Sequence, residues 1–192
     1  MMDDTPKIGI TGLPNVGKTS TLIKIVEKLE HDDFEVGGMV TEAVLDGDRR
    51  VGVSVRDWRS DASGVFAHMD YETKAKVETD EGVFFVRTDV LENVGVKAIK
   101  DAMADENVDI IIIDEVGKME MHSQKFCDTV KEALDCPKPV IMTLHKKSRN
   151  PLLQDIRRRD DVRILEVTPV NKNLLPYKIE KLLKDKLDEY YY

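Results

Sequence analysis

The sequence has 192 residues, 41% of them hydrophobic and 34% charged, which predicts one folded domain over residues 1–192 and excludes a disordered chain. The 37 aspartates and glutamates outnumber the 29 lysines and arginines, and the net charge of −8 argues against the broad basic surface that sequence-independent nucleic-acid binding requires. With only two cysteines, Cys127 and Cys136, the chain cannot build a disulfide framework, so we expect reduced thiols in a cytoplasmic protein.

The N-terminal half of the chain predicts a strand, a glycine-rich loop and a helix, followed by a pair of strands. Apolar side chains recur at helical spacing in the helix, and the strands are short β-rich runs bounded by turn signals. The predicted elements are strand 7–11, helix 17–29 and strands 34–44 and 50–55. From residue 56 to residue 89 the chain is polar and irregular, so we predict an insertion there, with a possible hairpin of strands 74–77 and 83–87.

The C-terminal half of the chain alternates helices with apolar strands. The unbroken apolar run that ends at residue 113 is typical of a strand covered on both faces in a parallel sheet, and it is far shorter than the roughly 20 residues of a membrane span. The predicted elements are helices 94–104, 123–134, 151–159 and 174–187 and strands 108–113, 139–144 and 162–167. This alternation predicts an α/β fold with a parallel sheet.

A phosphate-binding loop lies between the first strand and the first helix. The pattern of a glycine, four residues, a second glycine, a lysine and a serine or threonine is matched by Gly12, Leu13, Pro14, Asn15, Val16, Gly17, Lys18 and Thr19. In this context the loop amides and the helix N-terminus form a cradle for the β-phosphate of a nucleotide. We expect Lys18 to bridge the β- and γ-phosphate oxygens and the Thr19 hydroxyl to bind Mg²⁺.

A carboxylate partner for that Mg²⁺ is expected at the end of a neighbouring strand. Asp114 follows the apolar run and can hold Mg²⁺ through a water molecule, and Glu115 beside it can orient and deprotonate a water molecule in line with the γ-phosphate. The alternatives are that Asp114 is a turn residue at the strand end and that Glu115 is an ordinary surface carboxylate.

Two further patterns raise the possibility of a GTPase. The segment from Asp114 to Gly117 fits the Asp-x-x-Gly pattern of GTPase switch regions, and Asn171 opens a segment where a guanine-reading Asn-Lys-x-Asp would lie. Position 174 is leucine, however, so the carboxylate that would pair with guanine is absent. The sequence therefore predicts no specificity for guanine.

Other polar residues near these motifs have both functional and structural interpretations. Lys118 can steady the charge of the γ-phosphate or be a solvated loop lysine, and Glu120 can cap the following helix or form a salt bridge. His145 follows a predicted strand, where related sheets carry a polar sensor, and Thr143 is the competing candidate. Residues 157–159 are all arginine, and we expect them to form a solvated helix end.

Several blocks of the chain resemble one family, the small stand-alone nucleoside-triphosphatases that are also called cancer-related nucleoside-triphosphatases. Residues 12–19 match its Gly-x-Pro-x-Val-Gly-Lys-Thr block, and residues 113–120 match its Ile-Asp-Glu-x-Gly-Lys-Met-Glu block. Thr41 and Glu42 match a further pair. One departure is Lys172, which stands where the family usually has arginine after an asparagine.

The resemblance implies a fold, an activity and a site. The implied fold is a three-layer RecA-like P-loop domain with a mainly parallel central sheet and a small antiparallel strand pair. The implied activity is Mg²⁺-dependent hydrolysis of ATP, GTP, CTP, UTP and TTP to diphosphate and phosphate. Besides the phosphate-binding loop, the implied nucleotide-binding stretch comprises Ile110, Ile111, Ile112, Ile113, Asp114, Glu115, Val116 and Gly117.

Two other functions remain open at this stage. A small kinase would pass the γ-phosphate to an acceptor bound by residues 56–89, and a nucleotide-dependent adaptor would hydrolyse slowly and act through a protein partner. Nucleoside triphosphates are the only partners that the sequence predicts. It predicts no membrane contact and no dedicated nucleic-acid surface, and it identifies no protein partner.

Overall fold

A computed structural model describes residues 5–191, with side chains for residues 5–185; residues 1–4 and Tyr192 of the predicted domain lie outside the described residues. The strands are β1 Lys7–Gly12, β2 Val36–Asp46, β3 Arg49–Asp57, β4 Ser63–His68, β5 Lys76–Thr79, β6 Gly82–Val86, β7 Ile110–Val116, β8 Val140–His145 and β9 Val162–Glu166. All of them belong to one nine-stranded sheet in the order β5-β6-β4-β3-β2-β7-β8-β1-β9. The fold is therefore α/β with a mixed sheet.

Helices cover both faces of this sheet. They are α1 Lys18–His31, α2 Thr88–Val90, α3 Lys97–Ala104, α4 Gln124–Asp135, α5 Pro151–Arg158 and α6 Leu175–Tyr191. Side-chain caps fix the starts of α4 and α5. The Ser123 hydroxyl accepts a hydrogen bond from the Phe126 N–H, and the Asn150 side chain accepts one from the Leu153 N–H. Among the described residues, no helix has both the length and the apolar character needed to cross a membrane.

The half of the sheet from β2 to β9 is parallel, as the sequence predicts. Strand β7 lies within it and is buried on both faces. Ile111 and Ile113 pack in the core under α3 and α4, whereas Ile110 and Ile112 pack in the core under α1 and α6. This two-sided burial explains why the strand is apolar without alternation.

The antiparallel half of the sheet is larger than the sequence predicts. The predicted small strand pair and irregular insertion at residues 56–89 are corrected here: β3, β4, β6 and β5 continue the sheet beyond β2 in antiparallel pairs. The predicted hairpin is present as β5 and β6. Strands β4 and β6 are short and each buries few side chains, Phe66 and Phe84 among them, so the stretch appears polar overall.

The helix predicted to begin at residue 94 begins earlier. Thr88–Val90 starts it, and a π-helical turn at Leu91–Val96 leads into α3. At Gly95 a Cβ would lie 2.9 Å from the sulfur of Met39 and 3.1 Å from a methyl carbon of Val55, so glycine helps this turn to pack closely on the sheet. The predicted helices at residues 17–29, 123–134 and 151–159 are confirmed, with ends that differ by one or two residues.

Candidate active site

The phosphate-binding loop connects the end of β1 to the start of α1. Asn15 and Gly17 have positive φ angles of 64° and 102°, which turn the loop back on itself. Gly12 lies against the residue that follows β9, since a Cβ on Gly12 would be 2.9 Å from the carbonyl oxygen of Val167. Gly17 precedes α1 without a side-chain cap, so the first amide groups of the helix remain available to an anion.

Lys18 connects the loop to the two neighbouring strands. Its side chain is only 8% exposed, and its Nζ lies 3.3 Å from Oε2 of Glu115. The same Nζ donates a hydrogen bond of 3.2 Å to the carbonyl oxygen of Leu144 on β8. The loop lysine and the strand-end glutamate that the sequence predicts as site residues are therefore in direct contact.

Asp114 is fully buried at the end of β7 and accepts hydrogen bonds from three elements. The Thr19 hydroxyl on α1 is 3.0 Å from its Oδ1, and the Thr143 hydroxyl on β8 is 2.6 Å from the same oxygen. The backbone N–H of Thr41 on β2 is 3.2 Å from Oδ2. The predicted pair of Thr19 and Asp114 is brought together. Thr41, which the family resemblance matches without a role, is a further partner of Asp114.

The electrostatics of Asp114 suit a cation. Burial raises its pKa to about 6; the bond from Thr143 opposes this shift, and the negative charge of Glu115 adds to it. Among the described residues no lysine or arginine forms an ion pair with Asp114. A buried carboxylate of this kind is stabilised by a positive ion.

The donor set fits Mg²⁺. The Thr19 hydroxyl and the Asp114 carboxylate offer the oxygen ligands that this ion prefers, and Mg²⁺ in nucleotide sites takes few protein ligands and completes its shell with water and phosphate. Within residues 5–185 there is no cluster of three or more histidine, cysteine, aspartate or glutamate side chains that could hold a metal ion without such help.

Glu115 is held against a glycine. Its side chain is 26% exposed, and a Cβ on Gly117 would lie 2.5 Å from its Oε1 and 3.2 Å from Oε2 of Glu120. Glu120 is buried, and burial followed by the charge of Glu115 raises its pKa well above the usual range. The helix cap expected of Glu120 is not formed, because Ser123 caps α4. Glu120 also forms no salt bridge within the described residues. Lys118 is exposed.

The apolar part of the implied nucleotide-binding stretch is buried within the sheet. Residues 110–113 are fully buried within the sheet, so they carry Asp114 and Glu115 to the sheet edge and form no surface of their own.

The segment after β9 uses its polar groups internally. The Asn171 amide oxygen accepts a hydrogen bond of 2.8 Å from the Thr168 N–H, and its amide nitrogen donates one of 2.8 Å to the Glu166 carbonyl. Leu174 is 71% exposed and Lys172 is also exposed. Both amide atoms of Asn171 are therefore engaged within its own loop.

The chain is similar to proteins of known type over nearly its whole length. The model of the NTPase family matches residues 7–180. Nucleoside-triphosphatase THEP1 of Thermoplasma acidophilum is 36% identical over 178 residues, which cover 93% of this chain and 95% of the relative. The THEP1 protein of Methanocaldococcus jannaschii is 42% identical over 140 residues, or 73% of this chain and 78% of the relative.

Two solved structures share the fold. The crystal structure of THEP1 from Aquifex aeolicus has a TM-score of 0.79 and 32% identity, and the match covers 92% of this chain and 98% of that one. The solution structure of a human cancer-related nucleoside triphosphatase has a TM-score of 0.77 and 30% identity, with 94% and 98% covered.

Proposed function

Since the chain belongs to the NTPase family of nucleoside-triphosphatases, we propose that it hydrolyses ATP, GTP, CTP, UTP and TTP to the diphosphate and phosphate with Mg²⁺. The observation that carries this proposal is the contact of Lys18 with Glu115 beside the contact of Thr19 with Asp114. One point at the carboxyl ends of the parallel strands is then surrounded by a phosphate-binding lysine, two metal ligands and a carboxylate that can act as a base.

Thr19 and Asp114 would hold the metal ion. When bound, Mg²⁺ neutralises charge on the β- and γ-phosphate oxygens. The hydrogen bonds from Thr143 and Thr41 keep the Asp114 carboxylate oriented toward Thr19.

Glu115 accepts a proton from the attacking water. In the nucleotide-free chain its carboxylate pairs with Lys18 at 3.3 Å. A triphosphate that takes the Lys18 ammonium as its own partner leaves the Glu115 carboxylate free to bind water. The water oxygen then forms a bond to the γ-phosphorus, its proton passes to Glu115, and the bond to the nucleoside diphosphate breaks.

The segment after β9 supports broad base tolerance. Recognition of guanine requires a carboxylate near the base, and position 174 is an exposed leucine. Both amide atoms of Asn171 form hydrogen bonds with the backbone of its own loop. Residues 167–174 hold no carboxylate that could pair with guanine, in keeping with hydrolysis of several nucleoside triphosphates.

The sheet supports a RecA-like arrangement in one domain. Strand β8 lies between β1, which leads into the phosphate-binding loop, and β7, which carries Asp114, as in RecA-like P-loop proteins. Both cysteines are free thiols, in keeping with a cytoplasmic location.

A phosphate-release panel tests the proposal. The full chain is assayed with each of the five triphosphates, with and without Mg²⁺ and without any added acceptor. We expect release from all five only with Mg²⁺, and a loss of at least about 10³-fold in Lys18→Ala against a Lys24→Ala control on the same helix. Release that needs an added acceptor would indicate a kinase, and a thousandfold preference for GTP would contradict base tolerance.

A further inference from the structure

His145 lies at the end of β8, between the strands that carry the phosphate-binding loop and the catalytic carboxylates. In the parallel register it is paired with Gly12, the first residue of the loop. The carbonyl of the preceding residue, Leu144, accepts the hydrogen bond from Lys18 Nζ. His145 therefore stands at the sheet edge where the γ-phosphate binds in the proposed reaction.

Hydrogen bonds fix the state of this imidazole. Its Nδ1 accepts from the backbone N–H groups of Lys147 at 3.2 Å and Ser148 at 3.0 Å. A neutral imidazole that accepts at Nδ1 carries its hydrogen at Nε2. Burial lowers the pKa of His145, and the nearby positive charges act in the same direction although a carboxylate opposes them, so the neutral form is favoured. Nε2 has no hydrogen-bond partner within the part of the chain that the structure describes.

Arg157 on α5 holds the loop that fixes the imidazole. Its guanidinium donates to the carbonyl oxygens of His145 at 2.8 Å, Lys146 at 2.9 Å and Ser148 at 2.8 Å. These bonds span the residues whose N–H groups bind Nδ1. Arg157 lies exposed in the last turn of α5, as the sequence predicts, and its guanidinium also binds the turn after β8.

On the premise of the hydrolysis proposed above, we infer that His145 donates from Nε2–H to a γ-phosphate oxygen, and that Arg157 is a positioning residue that aims this donor. The hydrogen bond strengthens as charge develops on the oxygens of the transferred phosphoryl group. With Nδ1 already occupied, His145 acts as a donor and takes no proton from water. The contact depends on the γ-phosphate, so it distinguishes the triphosphate from the diphosphate product.

The pair His145→Asn and His68→Asn separates this role from a structural one. Asparagine places its amide oxygen near the position of Nδ1 and can keep the turn bonds, but no donor reaches as far as Nε2. His68 is a matched control, because its Nδ1 accepts from the Asp70 N–H two residues on, at 3.0 Å, in the antiparallel half of the sheet. Each variant is assayed for kcat and KM with ATP, and for affinity toward ADP and a non-hydrolysable ATP analogue with Mg²⁺.

We expect His145→Asn to lower kcat on the order of 10²-fold and analogue affinity about tenfold, with ADP affinity unchanged. His68→Asn should match the wild type. Arg157→Ala should show the same pattern more weakly, against an Arg158→Ala control, and should add little to His145→Asn in the double variant. Equal losses for ADP and the analogue, or no loss for either, would overturn the inference. A wild-type chain that releases no phosphate would instead refute the proposed function.

A measurement on the wild-type chain covers the case in which a variant fails to fold. Nitrogen-15 spectra report which imidazole nitrogen carries the hydrogen. We expect the Nε2–H form for His145, with an Nε2 resonance that shifts with the ATP analogue and much less with ADP. The inferred role of His145 is contradicted if the hydrogen is on Nδ1, or if the Nε2 resonance does not shift when the analogue binds.

Discussion

Thr143 on β8 donates a hydrogen bond of 2.6 Å from its hydroxyl to Oδ1 of Asp114 on β7. The bond joins two neighbouring strands beneath the phosphate-binding loop, and it is shorter than the bond that Thr19 makes to the same oxygen. A buried carboxylate with such a donor stays oriented before any metal arrives. In the proposed reaction, Thr143 therefore acts on the metal site through Asp114.

Replacing Thr143 by valine should weaken the metal site. The change keeps the shape of the side chain and removes the bond that opposes the raised pKa of Asp114. We expect the Mg²⁺ concentration for half-maximal phosphate release to rise about tenfold. The control is Thr129→Val, another buried threonine, on α4. If the Mg²⁺ requirement is unchanged, Thr143 contributes to packing and does not support the metal site.

Replacing Glu115 by glutamine should stop turnover and leave binding intact. Glutamine keeps the size of the side chain and cannot accept the proton of water, so kcat should fall roughly 10²- to 10⁴-fold. Nucleotide affinity, followed by calorimetry, should hold because Lys18 and Thr19 are untouched. If kcat stays near the wild-type value, another group positions the water.

Replacing Asp114 by asparagine should stabilise the nucleotide-free protein at neutral pH. The folded pKa of about 6 exceeds the ordinary 3.8, so this group favours folding only below pH 4 and loses that contribution as the pH rises through 6. At pH 7.5 the variant should gain about 1–3 kcal/mol of unfolding free energy. Thermal unfolding without Mg²⁺ checks this.

The pH dependence provides the internal control for that variant. At pH 4 the wild-type carboxyl is largely protonated, so the gain over the wild type should nearly vanish there. The same variant should lose Mg²⁺-dependent hydrolysis. A gain of equal size at both pH values would mean that the charge of Asp114 is not its source.

Replacing Gly117 by alanine should displace Glu115. The added Cβ would lie 2.5 Å from Oε1 of Glu115, and a carboxylate end can move more readily than the backbone. We expect kcat to fall at least tenfold, since small displacements of a general base are costly, while affinity for the ATP analogue holds. Gly47→Asn, at a turn where a Cβ meets nothing within 4 Å, is the control and should behave as the wild type.

The sequence predicts the parts of the site that are contiguous in the chain. The loop from Gly12 to Thr19 and the pair Asp114–Glu115 each carry their chemistry in adjacent residues, so their spacing is visible before folding. Thr41 reaches Asp114 across 73 positions of sequence. No local pattern marks such a contact, because it depends on β2 pairing with β7.

The same reason explains what the sequence misses in the fold. Apolar runs such as residues 110–113 indicate strands that are buried on both faces. Strands β4 and β6 are short and bury few side chains, Phe66 and Phe84 among them, and polar segments connect them to their neighbours. Such strands leave a weak signal in composition.

The two-sided burial of β7 ties catalysis to the cooperativity of unfolding. Ile110 and Ile112 belong to one apolar core, and Ile111 and Ile113 belong to the other. If either core is lost, one face of β7, the strand that carries Asp114 and Glu115, loses its packing. We therefore expect inactivation by heat to coincide with melting of the parallel half of the sheet.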